Sequence, residues 1–321
     1  MELAIKNKQS QQEKEIEELF HMQYWGYKNV FHKKEATELL PHRQGVDLEI
    51  NLEEGAGLPI KKIYSLGALE LEELHSYIEL NKKRGWIRKS FIDRGSPIKF
   101  VKMKDGKLRV YVDYWALNHV AKKDRYPVPL IGDAQDRLQD AKYFTKLDIK
   151  YAYHNVRIRE GDELKTTFIL KLGKYEYRVM PFRLCNAPAT FQRWINWTLH
   201  RSIDISYIVY LYNVLIYSPD KQQHEKDVKN ILEAILRSGM NIKPSKYEFH
   251  TMKTEYLGFI INQEGIKVDP VKTAAIWDWT KPTKITEVQK FLGLCNFYQR
   301  FIQGFGSMAR QQYNLTKKAN R

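Results

Sequence analysis

The segment YIVYLYNVLIYS, residues 207–218, constrains the fold of this chain more than any other. Two short arms, rich in β-branched and aromatic residues, flank a tight middle. Such residues favour strands over helices, and arms of this length are typical of an antiparallel hairpin. Asn213 in the middle tolerates the positive φ that tight turns often require. The segment therefore predicts a β-hairpin.

Three further stretches have strand character. The arms 98–103 and 108–114 both alternate apolar and polar residues around a turn, which predicts a second hairpin. The run YFTKLDI at 143–149 also alternates and places Asp148 on the face opposite its Tyr, Thr and Leu residues. The stretch 255–268 is hairpin-like as well.

Helices are predicted between and after these strands. Asn186 with Pro188 begins one helix, whose apolar residues recur at helical spacing. Asp220 with Gln223 forms a capping box for another helix, which ends at Gly239. The other predicted helices cover 13–32, about 69–85, and a C-terminal stretch that begins at Thr286. Because strands and helices mix without regular βαβ alternation, the predicted class is α+β.

The charge of the chain favours an anionic partner. Its 321 residues include 53 Lys and Arg against 38 Asp and Glu, a net charge of +15. Such an excess fits either nucleic acid or an acidic membrane face. With 43% hydrophobic residues, the chain has enough apolar material for a core, which excludes wholesale disorder.

Membrane and disulfide classes are not favoured. The sequence has no apolar run of the roughly 18 residues that a spanning helix needs, and its amino terminus has no apolar signal core. The two cysteines, Cys185 and Cys295, are too few for a disulfide framework and lack metal-ligand spacing. We expect both to be small buried hydrophobes. The sequence thus predicts a soluble intracellular protein, cytoplasmic or nuclear.

Seven blocks of the sequence carry a family resemblance. They are DGKLRVYVDYWALN (105–118), RYPVPLI (125–131), AKYFTKLDIKYAYHNVRI (141–158), YRVMPFRLCNAPATFQ (177–192), YIVYLYNVLIYS (207–218), EYLGFIINQEGIKVDP (255–270) and FLGLCNFYQRFI (291–302). From about residue 40 to 318 the chain resembles the reverse transcriptase region of Ty3/gypsy-type (LTR) retrotransposon polyproteins. Seven blocks in the family's order make chance similarity negligible.

The resemblance implies a right-hand polymerase fold of fingers, palm and thumb. The implied divisions are a leader helix and linker over 1–40, mainly fingers over 41–140, palm over 141–264 with a fingers insertion near 155–180, and thumb over 265–321. Its partner would be primer–template nucleic acid, either an RNA–DNA or a DNA duplex. The family's activity would be RNA-directed DNA polymerisation with Mg²⁺.

The family's metal site is degenerate in this sequence. Two-metal nucleotidyl transfer requires carboxylate oxygens, and the family supplies one from an LDL-like strand and two from a YLDD hairpin. Asp148 matches the first of these metal ligands. Tyr212 and Asn213 stand where the two hairpin aspartates belong. A phenol with a reference pKa of about 10 and a neutral amide replace two negative charges, so we expect metal binding to fail and catalysis to be lost.

Residues matching the family's nucleotide site are better preserved. Arg109 matches the arginine that binds the triphosphate, and Tyr153 matches the aromatic residue beside the sugar of the incoming nucleotide. Phe182 matches the floor of the nucleotide site. Next to it, Arg183 replaces a glycine, and we expect this side chain to crowd the floor or to turn out to solvent.

Other departures from the family pattern are scattered along the chain. Trp115 stands where arginine is usual, and Tyr111 and Tyr247 stand where cysteine is usual. Replacements in several motifs are typical of drift after polymerase activity has ceased to matter.

Primer–template contacts are also implied by the resemblance. Gly258 matches the hairpin that grips the primer, and Gln289, Gly293 and Phe297 match a helical stripe that follows the minor groove of the duplex. Residues 265–321 carry ten basic and three acidic side chains, a net charge of +7. This excess suits contact with phosphates.

Three hypotheses remain open at this point. The first is a degenerate reverse transcriptase that binds nucleic acid without polymerising, and we favour it. The second is an active RNA-directed DNA polymerase that compensates for its lost acids. The third is a co-opted scaffold that binds protein. Primer extension separates the second from the others, and salt-dependent binding to primer–template separates the first from the third.

Overall fold

The computed structural model describes residues 22–31, 39–60, 63–103, 106–129, 137–138, 140–171, 173–200, 206–243 and 247–316. Of the predicted helix over 13–32, the part within these ranges is helical: Met22–Tyr27 forms a 3₁₀-helix and Lys28–Phe31 a single α-helical turn, α1. Residues 13–21 and 32 lie outside the described residues.

Seven longer α-helices follow in the described part of the chain. They are α2 (Ala68–Lys83), α3 (Trp115–Val120), α4 (Ala187–Leu199), α5 (Lys221–Ser238), α6 (Pro270–Trp277), α7 (Ile285–Phe297) and α8 (Phe305–Thr316). Short 3₁₀-helices cover Ala152–Asn155, Glu163–Thr166 and Gln299–Phe301.

The described strands form four small sheets. The strands are β1 (Ile87–Lys89), β2 (Ile98–Lys102), β3 (Leu108–Val112), β4 (Tyr143–Asp148), β5 (Phe168–Leu170), β6 (Gly173–Tyr177), β7 (Tyr207–Tyr210), β8 (Asn213–Ser218), β9 (Glu248–Thr251), β10 (Lys253–Tyr256), β11 (Phe259–Asn262) and β12 (Gly265–Val268). The sheet orders are β7-β8-β4-β9, β1-β6-β5, β10-β11-β12 and β2-β3.

The hairpin predicted at 207–218 is confirmed and forms one side of the central sheet. Strands β7 and β8 pair antiparallel, and β4 pairs antiparallel with β8 in a register that places Asp148 opposite Asn213. The predicted hairpin of β2 and β3 is also confirmed. The stretch 255–268 adds β12 to a hairpin of β10 and β11, so it belongs to a three-stranded meander.

Both faces of the central sheet are buried. On one face, Leu147 and Val214 join the large core formed with helices α4 and α5. On the other, Phe144 and Leu215 form a second core with Tyr256 and other residues of the meander. Successive side chains of β4 therefore point alternately into two different cores. In the usual half-buried antiparallel strand, by contrast, they alternate between a core and solvent.

The residues predicted to cap the two ends of α5 do so in the structure. The carboxylate of Asp220 accepts a hydrogen bond from the backbone N–H of Gln223 at 2.9 Å, and Gly239 ends the helix with a φ of 77°. Asn186 precedes α4 but does not cap it with its side chain. Its amide instead donates to the carbonyl of Lys122 at 2.8 Å, which ties α4 to the segment after α3.

The C-terminal helices differ from expectation in two details. Helix α7 begins at Ile285, one residue before the predicted start, and α8 follows it although the sequence pattern had not indicated a further helix. Cys295 is buried in α7 as predicted, but the prediction for Cys185 is wrong because that residue is exposed. Cys185 lies in the loop before α4, where its backbone N–H donates to the side chain of Asn118. No helix in the described ranges is long and apolar enough to cross a membrane.

A row of buried, hydrogen-bonded polar side chains connects the central sheet to α5. Ser218 donates its proton to Asp227 at 2.7 Å, so Nδ1 of His224, 3.0 Å from Ser218 Oγ, must carry the proton of that contact. Nε2 of His224 then accepts from the Thr145 hydroxyl at 2.8 Å. The neutral ring satisfies both partners, whereas a second proton on Nε2 would displace the Thr145 proton.

We expect this histidine to make the fold sensitive to acid. Burial, and then the neighbouring His250, lower the pKa of His224 to about 4. Since the unfolded pKa is about 6.5, its stabilising contribution is present above that pH and is lost as the pH falls toward 4, by about 2 to 3 kcal/mol at pH 4.5. Urea unfolding followed by tryptophan fluorescence at pH 7 and 4.5 measures this loss. The variant His224→Gln should lose less stability over the same interval, and an equal loss in both proteins would contradict the assignment.

Candidate active site

Asp148 ends strand β4 and is almost fully buried. Its residue is 5% exposed, and its carboxylate accepts a hydrogen bond from Nζ of Lys243 at 2.6 Å. The backbone N–H of Lys243 donates to the carbonyl of Asp148 at 2.9 Å, so main chain and side chain hold the same pair. The carboxylate at the centre of the candidate site therefore has an ammonium group as its counter-ion.

The turn between β7 and β8 lies against the end of β4. The carbonyl of Tyr212 accepts from the backbone N–H of Ile149 at 2.9 Å, and the backbone N–H of Leu211 donates to the side chain of Gln192 at 3.0 Å. Leu211 has a φ of 53°, so the left-handed residue of the turn is Leu211 and not the predicted Asn213. Asn213 is already in β8, where it pairs with Tyr210 and Asp148.

Tyr212 projects from this turn toward the Asp148–Lys243 pair. Its residue is 38% exposed, and Nζ of Lys243 lies 5.4 Å from the centre of its ring, within cation–π distance. The structure thus brings together Asp148, Tyr212 and Asn213, the three residues that the sequence resemblance assigns to the metal site.

Tyr153 and Phe182 form an aromatic wall beside the hairpin. Their ring centres are 5.1 Å apart, and Tyr153 also packs on the buried Phe191 at 5.6 Å. Burial, and then the neighbouring Tyr212 and Tyr210 hydroxyls, raise the pKa of Tyr153 to about 12, so it stays neutral near pH 7. Phe182 is 50% exposed, so about half of this residue is open to solvent.

Arg183 has a left-handed backbone conformation, which glycine adopts most readily. Its φ is 71°, and its guanidinium stacks on the ring of Tyr111 at 4.2 Å. Of the two expected outcomes, the side chain takes the exposed one, with Tyr111 as its support. Both residues depart from the family pattern, and they contact each other.

The other predicted nucleotide residue lies on the same strand as Tyr111. Arg109 is exposed on β3, and side chains two residues apart along a strand share a face. The guanidinium groups of Arg109 and Arg183 therefore border one side of the β2–β3 hairpin. Trp115 is 69% exposed at the start of α3 and stacks on His119.

The predicted primer–template residues lie in two elements. Gly258 has a φ of 85° in the turn between β10 and β11, where an added Cβ would come within 3.3 Å of the Tyr298 hydroxyl. Gln289, Gly293 and Phe297 are all exposed on α7, and their spacing of four residues keeps them on one face. The predicted stripe is therefore open to solvent.

Two site residues were missed by the sequence analysis. Lys243 lies in a stretch without a recognisable ligand pattern, and its role is visible from its contact with Asp148. Gln192 ends one of the seven blocks, but its spacing did not indicate a function. It is fully buried and donates to the carbonyl of Val209 while accepting from Leu211, which shapes the turn that carries Tyr212.

Comparison with known proteins identifies the family. The family model described as reverse transcriptase (RNA-dependent DNA polymerase) matches residues 101–261, just over half of the chain. This chain belongs to the reverse transcriptase family. Two relatives of this chain are the transposon Tf2-3 and Tf2-7 polyproteins of Schizosaccharomyces pombe, 34% and 35% identical over 284 residues. The matches cover 88% of the chain and 21% of each relative, so the chain spans about a fifth of their length. They confirm the predicted kinship with Ty3/gypsy-type retrotransposons.

Solved structures confirm the predicted right-hand polymerase fold. The foamy viral protease–reverse transcriptase in complex with double-stranded DNA superposes with a TM-score of 0.77 at 22% identity, over 93% of this chain and 52% of the viral chain. The same viral enzyme in complex with an RNA/DNA hybrid gives a TM-score of 0.73 at 20% identity, over 93% and 40% of the two chains. The α+β class and the arrangement of fingers, palm and thumb are thus those of reverse transcriptases.

Reverse transcriptases use divalent metal ions, and the site of this domain does not fit a metal pair. Within the described residues no group of three or more His, Cys, Asp or Glu side chains could hold a metal ion. Asp148 is paired with Lys243, and the neighbouring positions offer a phenol and a neutral amide. Mg²⁺ requires several hard oxygen ligands with negative charge close at hand, which this arrangement does not supply.

Proposed function

We propose that this chain is a retrotransposon reverse transcriptase domain that binds primer–template nucleic acid without polymerising it. The observation that carries the proposal is the surroundings of Asp148. This carboxylate lies opposite the neutral Asn213 and forms an ion pair with Lys243, and no second or third carboxylate accompanies it at Tyr212 or Asn213. A polymerase centre of this composition retains its backbone arrangement but lacks the negative charge that binds divalent ions. An intracellular location, cytoplasmic or nuclear, fits this function.

The proposed divisions follow the family pattern. The leader would cover 1–40, the fingers mainly 41–140, the palm 141–264 with a fingers insertion near 155–180, and the thumb 265–321. In this assignment the central sheet and helices α4 and α5 form the palm. Helices α6, α7 and α8 belong to the thumb.

Loss of polymerisation follows from the chemistry of the two-metal mechanism. One ion activates the attacking primer oxygen and the other stabilises the leaving pyrophosphate. With one carboxylate left, and that carboxylate neutralised by an ammonium group, the ions lack the charge that holds them. The aromatic wall of Tyr153 and Phe182 can still contact a base or sugar, but contact alone supplies neither activation nor charge stabilisation.

Nucleic-acid binding is supported by the exposed charge of the proposed thumb. The described basic residues between 265 and 316 are all exposed: Lys267, Lys272, Lys281, Lys284, Lys290, Arg300 and Arg310. The solved viral relatives were captured with double-stranded DNA and with an RNA/DNA hybrid. Exposed lysines beside the α7 stripe would neutralise phosphates of such a duplex without reading its sequence.

Fluorescence anisotropy with a labelled RNA–DNA primer–template tests this proposal. We expect the double variant Lys284→Gln, Lys290→Gln to bind about tenfold more weakly at low salt and to reduce the log–log salt slope by about 2. The matched control Lys221→Gln, Lys229→Gln removes the same charge from exposed positions on α5 and should bind like the parent. Absence of binding by the parent at low salt would favour the protein scaffold instead.

A further inference from the structure

The ion pair between Asp148 and Lys243 lies where a reverse transcriptase would place a metal ion. The Asp148 side chain is 7% exposed, whereas that of Lys243 is 37% exposed, so the carboxylate is buried under a partly hydrated ammonium group. A buried carboxylate without compensation would be strongly destabilising. Lys243 supplies that compensation from within the chain.

The position of Lys243 is determined by more than its charge. Its backbone N–H is bonded to the carbonyl of Asp148, and the next element along the sheet, β9, pairs with β4. Its ammonium group also lies over the ring of Tyr212, at 5.4 Å from the ring centre. The substituted residue Tyr212 therefore contacts the same cation that neutralises the retained acid.

We propose that Lys243 is a built-in cation that takes the place of the divalent ion at Asp148 and excludes it. The ammonium nitrogen lies 2.6 Å from the carboxylate oxygen, and a divalent ion bound to the same carboxylate would lie within a few ångströms of this positive charge. Two cations at that separation repel each other, and Tyr212 and Asn213 bring no negative charge to offset the repulsion.

This inference rests on the loss of metal binding in the proposed function and does not depend on nucleic-acid binding. It concerns the isolated chain and one carboxylate. Duplex binding could fail while Lys243 still excludes metal, and Lys243 could be dispensable while duplex binding persists. The two claims are therefore tested by different measurements.

The test compares metal-dependent stability among matched variants. Urea unfolding is measured with 10 mM MnCl₂ and, at equal ionic strength, with NaCl for the parent, Lys243→Met, the double variant Asp148→Asn with Lys243→Met, and Lys146→Met. Lys146→Met is the control, because it removes the same charge from a different ion pair. Lys146 pairs with Glu248 at 2.5 Å, and the Glu248 side chain is 38% exposed, so water already hydrates that carboxylate. Lys243→Gln replaces Lys243→Met if the latter does not fold.

We expect Mn²⁺ to stabilise Lys243→Met alone. If Asp148 of this variant binds Mn²⁺ with a dissociation constant of about 1 mM, 10 mM metal raises the ratio of folded to unfolded protein about tenfold. The parent, the double variant and Lys146→Met should not respond. The proposal is overturned if the parent and Lys243→Met respond alike, whether both gain or neither gains, or if the double variant gains as much as Lys243→Met.

Discussion

Primer extension by this chain is expected to yield no measurable DNA with Mg²⁺, on either a primed RNA or a primed DNA template. Removal of one well-placed electrostatic stabiliser costs about a hundredfold to a thousandfold in rate, so two such losses multiply to about 10⁴-fold or more. The loss should be larger still at Tyr212 and Asn213, since those positions would hold the ions themselves. Manganese should not restore synthesis, because the retained Asp148 is bound to Lys243.

Stepwise reversion shows whether the named residues account for the loss. The variant Tyr212→Asp, Asn213→Asp restores the acids but need not rescue synthesis, because Arg183 and Trp115 remain. Adding Arg183→Gly and Trp115→Arg should give more product than the double variant, since it restores a glycine where φ is 71° and the arginine that the resemblance implies at position 115. The readout is extended primer resolved on a denaturing gel, with an active reverse transcriptase as control.

Two outcomes would contradict this account of catalysis. Processive extension by the parent in Mg²⁺ would mean that other ligands complete the metal site. A fourfold variant as inactive as the parent would mean that decay extends beyond these four positions. Lys243 would then be the next residue to change, because the structure places its charge on Asp148.

Local chemistry made much of the fold predictable. The arms of β7 and β8 could be recognised because β-branched and aromatic residues flank a turn, and helix α5 because Asp220 and Gly239 mark its ends. These signals act over a few residues and need no knowledge of the rest of the chain. The family resemblance then indicated that Asp148 would lie beside the hairpin, and the register of β4 with β8 places it opposite Asn213.

Features that depend on distant contacts were missed. The left-handed turn residue is Leu211, and its backbone N–H donates to the side chain of Gln192, nineteen residues earlier in the chain. The ion pair of Lys243 with Asp148 joins residues 95 positions apart, and a solitary lysine in a polar stretch carries no local signal of such a partner.

Contacts between two substituted residues were also not predictable from the sequence. Arg183 and Tyr111 each replace a different family residue, and in the sequence they look like unrelated changes. In the structure they stack on each other, so one replacement supports the other. A single sequence cannot reveal that pairing, because the two residues lie 72 positions apart on different elements.

Salt should weaken duplex binding by about a thousandfold or more between 50 and 200 mM. Each phosphate neutralised by a lysine or arginine releases condensed counter-ions and contributes about −0.9 to the slope of log affinity against log salt. Seven exposed basic residues lie between 265 and 316, and about six phosphate contacts would give a slope near −5. Because this term is independent of base sequence, duplexes of unrelated sequence should show the same slope.

Anisotropy titrations at four salt concentrations, with two RNA–DNA duplexes of unrelated sequence, measure that slope. A steep and equal dependence for both duplexes supports phosphate contacts by the proposed thumb. A shallow dependence would mean that stacking on residues such as Phe182 dominates binding, since contacts to aromatic faces release few ions. The double variant Lys284→Gln, Lys290→Gln assigns the slope to α7, because it should lower the slope by about 2 while the α5 control leaves it unchanged.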